Sequence, residues 1–167
     1  NPTPVKNPKL LKLNNNLCDF LNLDKNYFTK KSGLLLLSGN AIDKSSKPIS
    51  MAYAGHQFGH FVEQLGDGRA VLLGEKKAKN GKFFDIQLKG SGKTAFSRNG
   101  DGRSPLDSVI REYLISEALH YLGIPTTRSL AIVSTGEFVE RESMLPGGIL
   151  TRVASSHIRI GTFEFFH

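Results

Sequence analysis

Tryptophan is absent from this chain of 167 residues, and cysteine occurs once, at Cys18. A lone thiol excludes an internal disulfide and any zinc site built from several cysteines. With Leu17 and Phe20 beside it, Cys18 is expected to be a small buried hydrophobe. Long apolar runs are missing too. The longest purely aliphatic stretch, Leu34–Leu37, falls far short of the ~20 residues a membrane-spanning helix needs. The first residues show no charged-then-apolar leader, and the expectation is that the chain is not secreted. Negative charge is the scarcer sign, with 15 acidic against 22 basic side chains and a formal net charge of +7.

That excess invites an anionic partner, either nucleic acid or a nucleotide. Much of it lies in Lys6–Lys31 and Lys76–Lys82, where solvated lysines explain it without any ligand. Without tryptophan, and with the phenylalanines mostly in alternating strand-like runs, no aromatic platform for stacked bases is evident. Nucleic acid is therefore the weaker partner class.

What is there fits one domain with enough material for a real core: 39% hydrophobic and 22% charged residues. The chain opens on Asn1 rather than methionine and stops at "GTFEFFH" without a clear terminating element, so a piece of a longer protein is expected. Residues 1–50 read as an N-terminal extension. Leu10, Leu13, Leu17, Phe20 and Leu21 are spaced for a short amphipathic helix, and 38–50 form a polar loop. In residues 51–167, "GHFVEQL", "AVLLGE" and "FFDIQL" read as strands, with turns at Gly66-Asp67-Gly68 and Asn80-Gly81. The helix signal is strongest at 104–123: Ser104 to cap, Pro105 in the first turn, Asp107 completing a weak capping box, and Gly123 closing the far end. Then "TTRSLAIV", "EFVERE" and "GILTRVA" read as strands, with Thr135-Gly136 and Pro146-Gly147-Gly148 as turns. Such short connections predict an α+β fold, a mostly antiparallel sheet with one long helix packed on it.

Gly90-Ser91-Gly92-Lys93-Thr94 imitates a Walker phosphate loop. The Walker pattern requires a glycine five residues before its last glycine, and that position is Gln87. It must also open directly into a helix, whereas "AFSRNGDGRSP" intervenes. The imitation fails on both counts.

Another geometry fits better. Lys89 ends the strand "FFDIQL" at a position expected to be buried, where a charged lysine needs anions around it. A glycine turn, a strand ending in lysine and a helix supplying a glutamate form the nucleotide-holding layout of protein kinases. Gly66 and Gly68 would let backbone amides approach phosphate. On the helix, Leu106, Val109, Ile110, Tyr113, Leu114 and Tyr121 make one stripe with Glu117 in its middle, and Glu112 lies on a flank. Periodicity thus nominates Glu117 as the buried carboxylate. His56 and His60 have the spacing of a zinc helix, but Gly55 and Gly59 disfavour a helix and no glutamate follows His56. His120 reads as a helix-end residue and His157 as a loop hydrogen-bonder.

"MAYAGHQFGHFVEQLGDGRAVLLGE", "DIQLKGSGKTAFSRNGDGRSPLDSVIREYLISEALHYLGIPTTRSLAIV" and "LTRVASSHIRIGTFEFF" are long, specific motifs. They resemble the selenoprotein O family of protein adenylyltransferases, and the likeness runs from about Pro2 to the last residue. The resemblance implies a protein-kinase-like N-terminal lobe and transfer of AMP from ATP to Ser, Thr or Tyr hydroxyls of other proteins. It implies nucleotide contacts at Gly66, Gly68, Arg69, Lys89, Asp101, Gly102, Arg152 and Arg159. It also makes Glu112 the partner of Lys89, against the periodicity choice, and this motif match is the reading preferred. Glu117→Leu is then expected to be mild or stabilising. The family's general-base aspartate, its Mg²⁺ ligands and its redox-active residue near the C-terminus fall beyond His167, and Cys18 does not replace the last. No catalytic or metal-binding residue is thus expected in this chain. Members would be cytoplasmic in bacteria and mitochondrial in eukaryotes. Two other readings stay open: a kinase relative that transfers the γ-phosphate, and a basic nucleic-acid-binding module without catalysis.

Overall fold

The computed structural model describes residues 1–167 and is α+β, built on one antiparallel sheet. In chain order the elements are β1 (Lys9–Leu13), α1 (Asn15–Phe20), α2 (Lys25–Phe28), α3 (Lys31–Leu37), β2 (Gly55–Gln57) and β3 (His60–Val62). They continue with β4 (Ala70–Lys77), β5 (Phe83–Lys89), β6 (Ser104–Pro105), α4 (Leu106–Tyr121), β7 (Arg128–Glu140), β8 (Met144–Ala154) and α5 (Ile160–Phe166). The main sheet runs β1-β7-β8-β5-β4, with β6 joined to β8, while β2 and β3 form a separate ribbon. None of the helices is long and apolar enough to cross a membrane.

Alternation along the central strands divides the sheet into two faces. On one, Leu88, Ala131, Val133 and Ile149 meet Val5 and Leu37. Farther along, Leu130 and Val153 meet Leu17, Cys18 and Leu21. The other face takes α4, whose Val109 and Tyr113 pack on Ile132 and Leu150. Cys18 is fully buried as expected, and burial pushes its thiol up to about 11.

The structure redraws several elements. Residues 9–13 are not the start of a helix but an edge strand, paired through Leu10↔Val133 and Leu13↔Ala131, and helix begins only after Asn14. Residues before 50 thereby enter the same sheet as those after it. The two turns expected at Thr135-Gly136 and Pro146-Gly147-Gly148 do not reverse the chain. They lie inside two long strands, where the register slips between Ser134 and Phe138, and the reversal comes at 141–143. Ser104 does not cap α4 either: it pairs with Gly148 in β6, and Pro105 occupies the cap position without a side-chain bond. Gly123 does follow the helix end, and Asn80-Gly81 does turn β4 into β5.

Candidate functional site

Strand β5 places Asp85, Gln87 and Lys89 on one face at period two, while Leu88 points into the opposite core. In the register with β8, Gln87 stands opposite Arg152 and Lys89 opposite Leu150. Because α4 packs over Leu150, its Glu112 arrives above the lysine. Glu112 Oε2 lies 2.5 Å from Lys89 Nζ, and Oε1 lies 3.2 Å from Arg152 Nε. Arg152 also donates from Nη1 to Gln87 Oε1 at 2.9 Å. In the structure Glu112, and not Glu117, is the carboxylate that pairs with Lys89. Lys89 itself is half-buried rather than enclosed, its side chain 30% exposed.

Periodicity was not misled about Glu117, which is buried, but its partners are structural. It accepts from Arg128 Nε and Nη2, the Ser129 amide and Asn14 Nδ2 at 2.7–2.9 Å. Burial alone would raise its carboxyl, but these bonds and the Arg128 charge hold it below the usual carboxylate range.

The turn at Gly66-Asp67-Gly68 sits between the ribbon and β4. Gly66 has φ +71°, and a Cβ there would strike the Phe96 ring at 2.2 Å, so only glycine fits. The amides here are engaged within the protein: Gly66 N donates to Tyr53 O, Asp67 N to Met51 O and Gly68 N to Gly66 O. These glycines thus permit close packing, and in this conformation the three amides are engaged within the protein. Thr94 and Ser97 fasten the turn by donating to the carbonyls of Asp67 and Gly68. The buried Asp67 carboxylate accepts from the Met51 amide, Gln87 Nε2 and Arg159 Nη2 at 3.3–3.4 Å. Arg159, at the head of α5, also lies over the Tyr53 ring, 4.6 Å from its centroid.

On the far wall, Asp101 accepts from the Arg103 amide at 2.8 Å and pairs with Arg141 at 2.9 Å. Chiefly through its bond to Arg141, its carboxyl is held below the ordinary value. Gly102, at φ +68°, presses on the Gly92 carbonyl so closely that no Cβ fits. The Gly90–Thr94 segment bridges to Arg103 through Ser91 and runs on into a turn, not into a helix.

All of Gly66, Gly68, Arg69, Lys89, Asp101, Gly102, Arg152 and Arg159 line a single open cleft of about 1020 Å³. Seven basic side chains face it (Arg69, Lys89, Arg98, Arg103, Arg141, Arg152 and Arg159) against the acids Asp67, Asp101 and Glu140. Arg152 is the most deeply set, and burial pulls its pKa below the ordinary arginine value despite the attraction of Glu112. Sequence reasoning missed Tyr53, Asp67, Gln87, Phe96 and Arg141. For Gln87 a signal existed, since Asp85, Gln87 and Lys89 recur every second residue on a strand otherwise apolar. His56 and His60 lie on facing strands of the ribbon, not on a helix. No three His, Cys, Asp or Glu side chains gather as a metal site.

Fold and cleft together define an α+β domain with an open cleft whose lining is predominantly basic. The sequence matches the family described as protein adenylyltransferase SelO over residues 1–167, and the chain belongs to that family. It is 61% identical over 166 residues to a protein nucleotidyltransferase YdiU of Alkalilimnicola ehrlichii, covering 99% of this chain and 34% of that protein. To the same-named protein of Halalkalibacterium halodurans it is 60% identical over 164 residues, covering 98% and 33%. To that of Nitrobacter winogradskyi it is 61% identical over 165 residues, covering 99% and 33%. The chain thus spans about a third of the length of these relatives.

Proposed function

We propose that this chain is the ATP-binding part, in a kinase-like arrangement, of a protein that transfers AMP from ATP to Ser, Thr or Tyr hydroxyls of target proteins. The observation carrying this reading is the convergence on one cleft of all eight residues that the family resemblance nominates, with Lys89 and Arg152 both held by Glu112.

In the reaction a hydroxyl oxygen attacks the α-phosphorus, its proton passes to a base, and the bond to the bridging oxygen breaks to release pyrophosphate. Negative charge grows on that oxygen. Lys89, Arg152 and Arg159 are preorganised cations for it, and such fixed charges are usually the largest catalytic contribution. The paired arginines suit bidentate phosphate binding. Mg²⁺ would neutralise the phosphates, but the residues here do not fit it: Asp67 and Asp101 are each committed to an arginine. Its ligands, and the base, are proposed to lie outside these residues. No membrane is invoked, and a cytoplasmic location is the accompanying proposal.

The test compares α- and γ-labelled ATP on the whole protein with protein substrates. Label from the α-position, lost in Lys89→Ala, supports the reading. Label from the γ-position would make the protein a phosphate-transferring kinase relative.

A further inference from the structure

Gln87 is fully buried, yet it stands on the face of β5 that opens to the cleft. A buried primary amide is costly unless its donors and acceptor are met. Here its oxygen accepts from Arg152 Nη1 at 2.9 Å and its nitrogen donates to Asp67 Oδ2 at 3.3 Å. This orientation is forced by chemistry, since arginine only donates and a carboxylate only accepts. Asp67 in turn meets Arg159 at 3.4 Å, and Arg152 meets Glu112, the partner of Lys89. One polar chain therefore joins Arg159, Asp67, Gln87, Arg152, Glu112 and Lys89, drawn from the glycine turn, β5, α4, β8 and the start of α5. Gln87 is its only neutral member and joins the Arg159–Asp67 pair to the Arg152–Glu112–Lys89 group.

We propose that Gln87 is a positioning residue: its amide fixes the guanidinium of Arg152 against the glycine turn, so that Arg152 and Arg159 meet the phosphates in one preset geometry. This rests on the reading of the cleft as an ATP site. A neutral amide suits the task. A carboxylate at this position would neutralise Arg152 and repel Asp67, whereas an apolar side chain would leave both without their bond. Because Arg152 sits deep in the cleft, a small misplacement costs binding of phosphate but not of the nucleoside.

The test is a double-mutant cycle in the whole protein, reading ATP and adenosine affinity by calorimetry. Gln87→Met is expected to weaken ATP about tenfold, the effect of losing one bond to a charged group, and to leave adenosine unchanged. In an Arg152→Ala background, Gln87→Met should cost nothing further. An equal loss in both backgrounds, or equal weakening of adenosine, would show a merely structural glutamine and overturn the proposal. If Arg152→Ala leaves ATP affinity intact, the ATP site itself is misread and this inference falls with it. Should Gln87→Met not fold, Gln87→Glu serves instead. Its protonated acid can accept from Arg152 and donate to Asp67 as the amide does, so ATP affinity should recover as pH falls in this variant but not in the parent. No recovery in a folded Gln87→Glu protein would refute the role.

Discussion

Glu112 holds Lys89 at 2.5 Å with one oxygen and lies 3.2 Å from Arg152 with the other, so one carboxylate steadies two cations of the cleft. With the Glu112 side chain 29% exposed, the arrangement serves placement of charge more than stability. Glu112→Gln in the whole protein is expected to lower AMP transfer by about tenfold and shift the melting temperature little. Lys89→Ala should lower transfer by about a hundredfold or more, the usual loss for one electrostatic stabiliser. Steady-state rates with α-labelled ATP decide both, and near-normal transfer by Lys89→Ala would remove the lysine from the mechanism.

Glu117 behaves in the opposite way, and the structure reverses the expectation that Glu117→Leu would be mild. Leucine would strand the Arg128 guanidinium, the Asn14 amide and the Ser129 N–H, all buried or nearly so. Breaking one side of such a pair costs about 3 kcal/mol or more. Urea unfolding should show that loss in Glu117→Leu, while Glu112→Gln stays close to the parent. Equal stabilities would mean that the Glu117 network does not hold α4 to the start of α1 and to β7.

Acid sensitivity should appear first through His157. Its amide donates to Asp85 Oδ2 at 2.7 Å, and its ring is buried beside that carboxylate. Burial, with the nearby Arg152 charge, pulls the imidazole below its ordinary 6.5, against the attraction of Asp85. The unfolded chain therefore takes up the proton first. Stability is full above the unfolded value and declines as pH falls through 6.5 toward the lower folded value. Depressed carboxylates such as Glu117 and Asp101 act only in the more acidic range, below about pH 5, so the windows separate. Urea midpoints at pH 7.5 and 5.5 should differ in the parent and differ less in His157→Gln. An unchanged slope in the variant would clear His157 of the effect.

The sheet-and-helix plan, the Lys89 strand and the glycine turn were readable because their patterns are local. The N-terminal strand was not. "KLLKL" looks helical in isolation and becomes extended only because β7 offers an unpaired edge. The turns at Gly136 and Gly147 were misread for a related reason: glycine signals a reversal or a bulge, and the pairing with the neighbouring strand decides which. In the site, periodicity found that Glu117 is buried but not why, since Asn14 lies 103 residues away in sequence. Glu112, Asp101, Arg152 and Arg159 came only from the family motifs. Gln87 escaped both routes, because its meaning depends on Asp67 and Arg152, neither adjacent in the chain.

The 167-residue chain alone is expected to transfer no AMP. Transfer requires a base for the hydroxyl proton and a metal on the phosphates. Of the cleft acids, Asp67 is tied to Gln87 and Arg159 and Asp101 to Arg141 and the Arg103 amide, while Glu112 behind them is tied to Lys89 and Arg152. The cleft is open, so phosphates bound to it stay partly hydrated and gain less from Lys89, Arg152 and Arg159 than enclosed ones would. ATP should bind in the millimolar range at best. Ile160, Phe163 and Phe166 stand 71–82% exposed on α5, beside Ile158 at 58%, and this apolar patch should drive self-association of the isolated chain. The check is to incubate the purified 167-residue chain with α-labelled ATP, Mg²⁺ and a cell lysate. The expected result is unlabelled protein and a concentration-dependent size in gel filtration. Label that disappears in Lys89→Ala would require a base among residues 1–167, and Glu140, the remaining cleft acid, would be the first to replace.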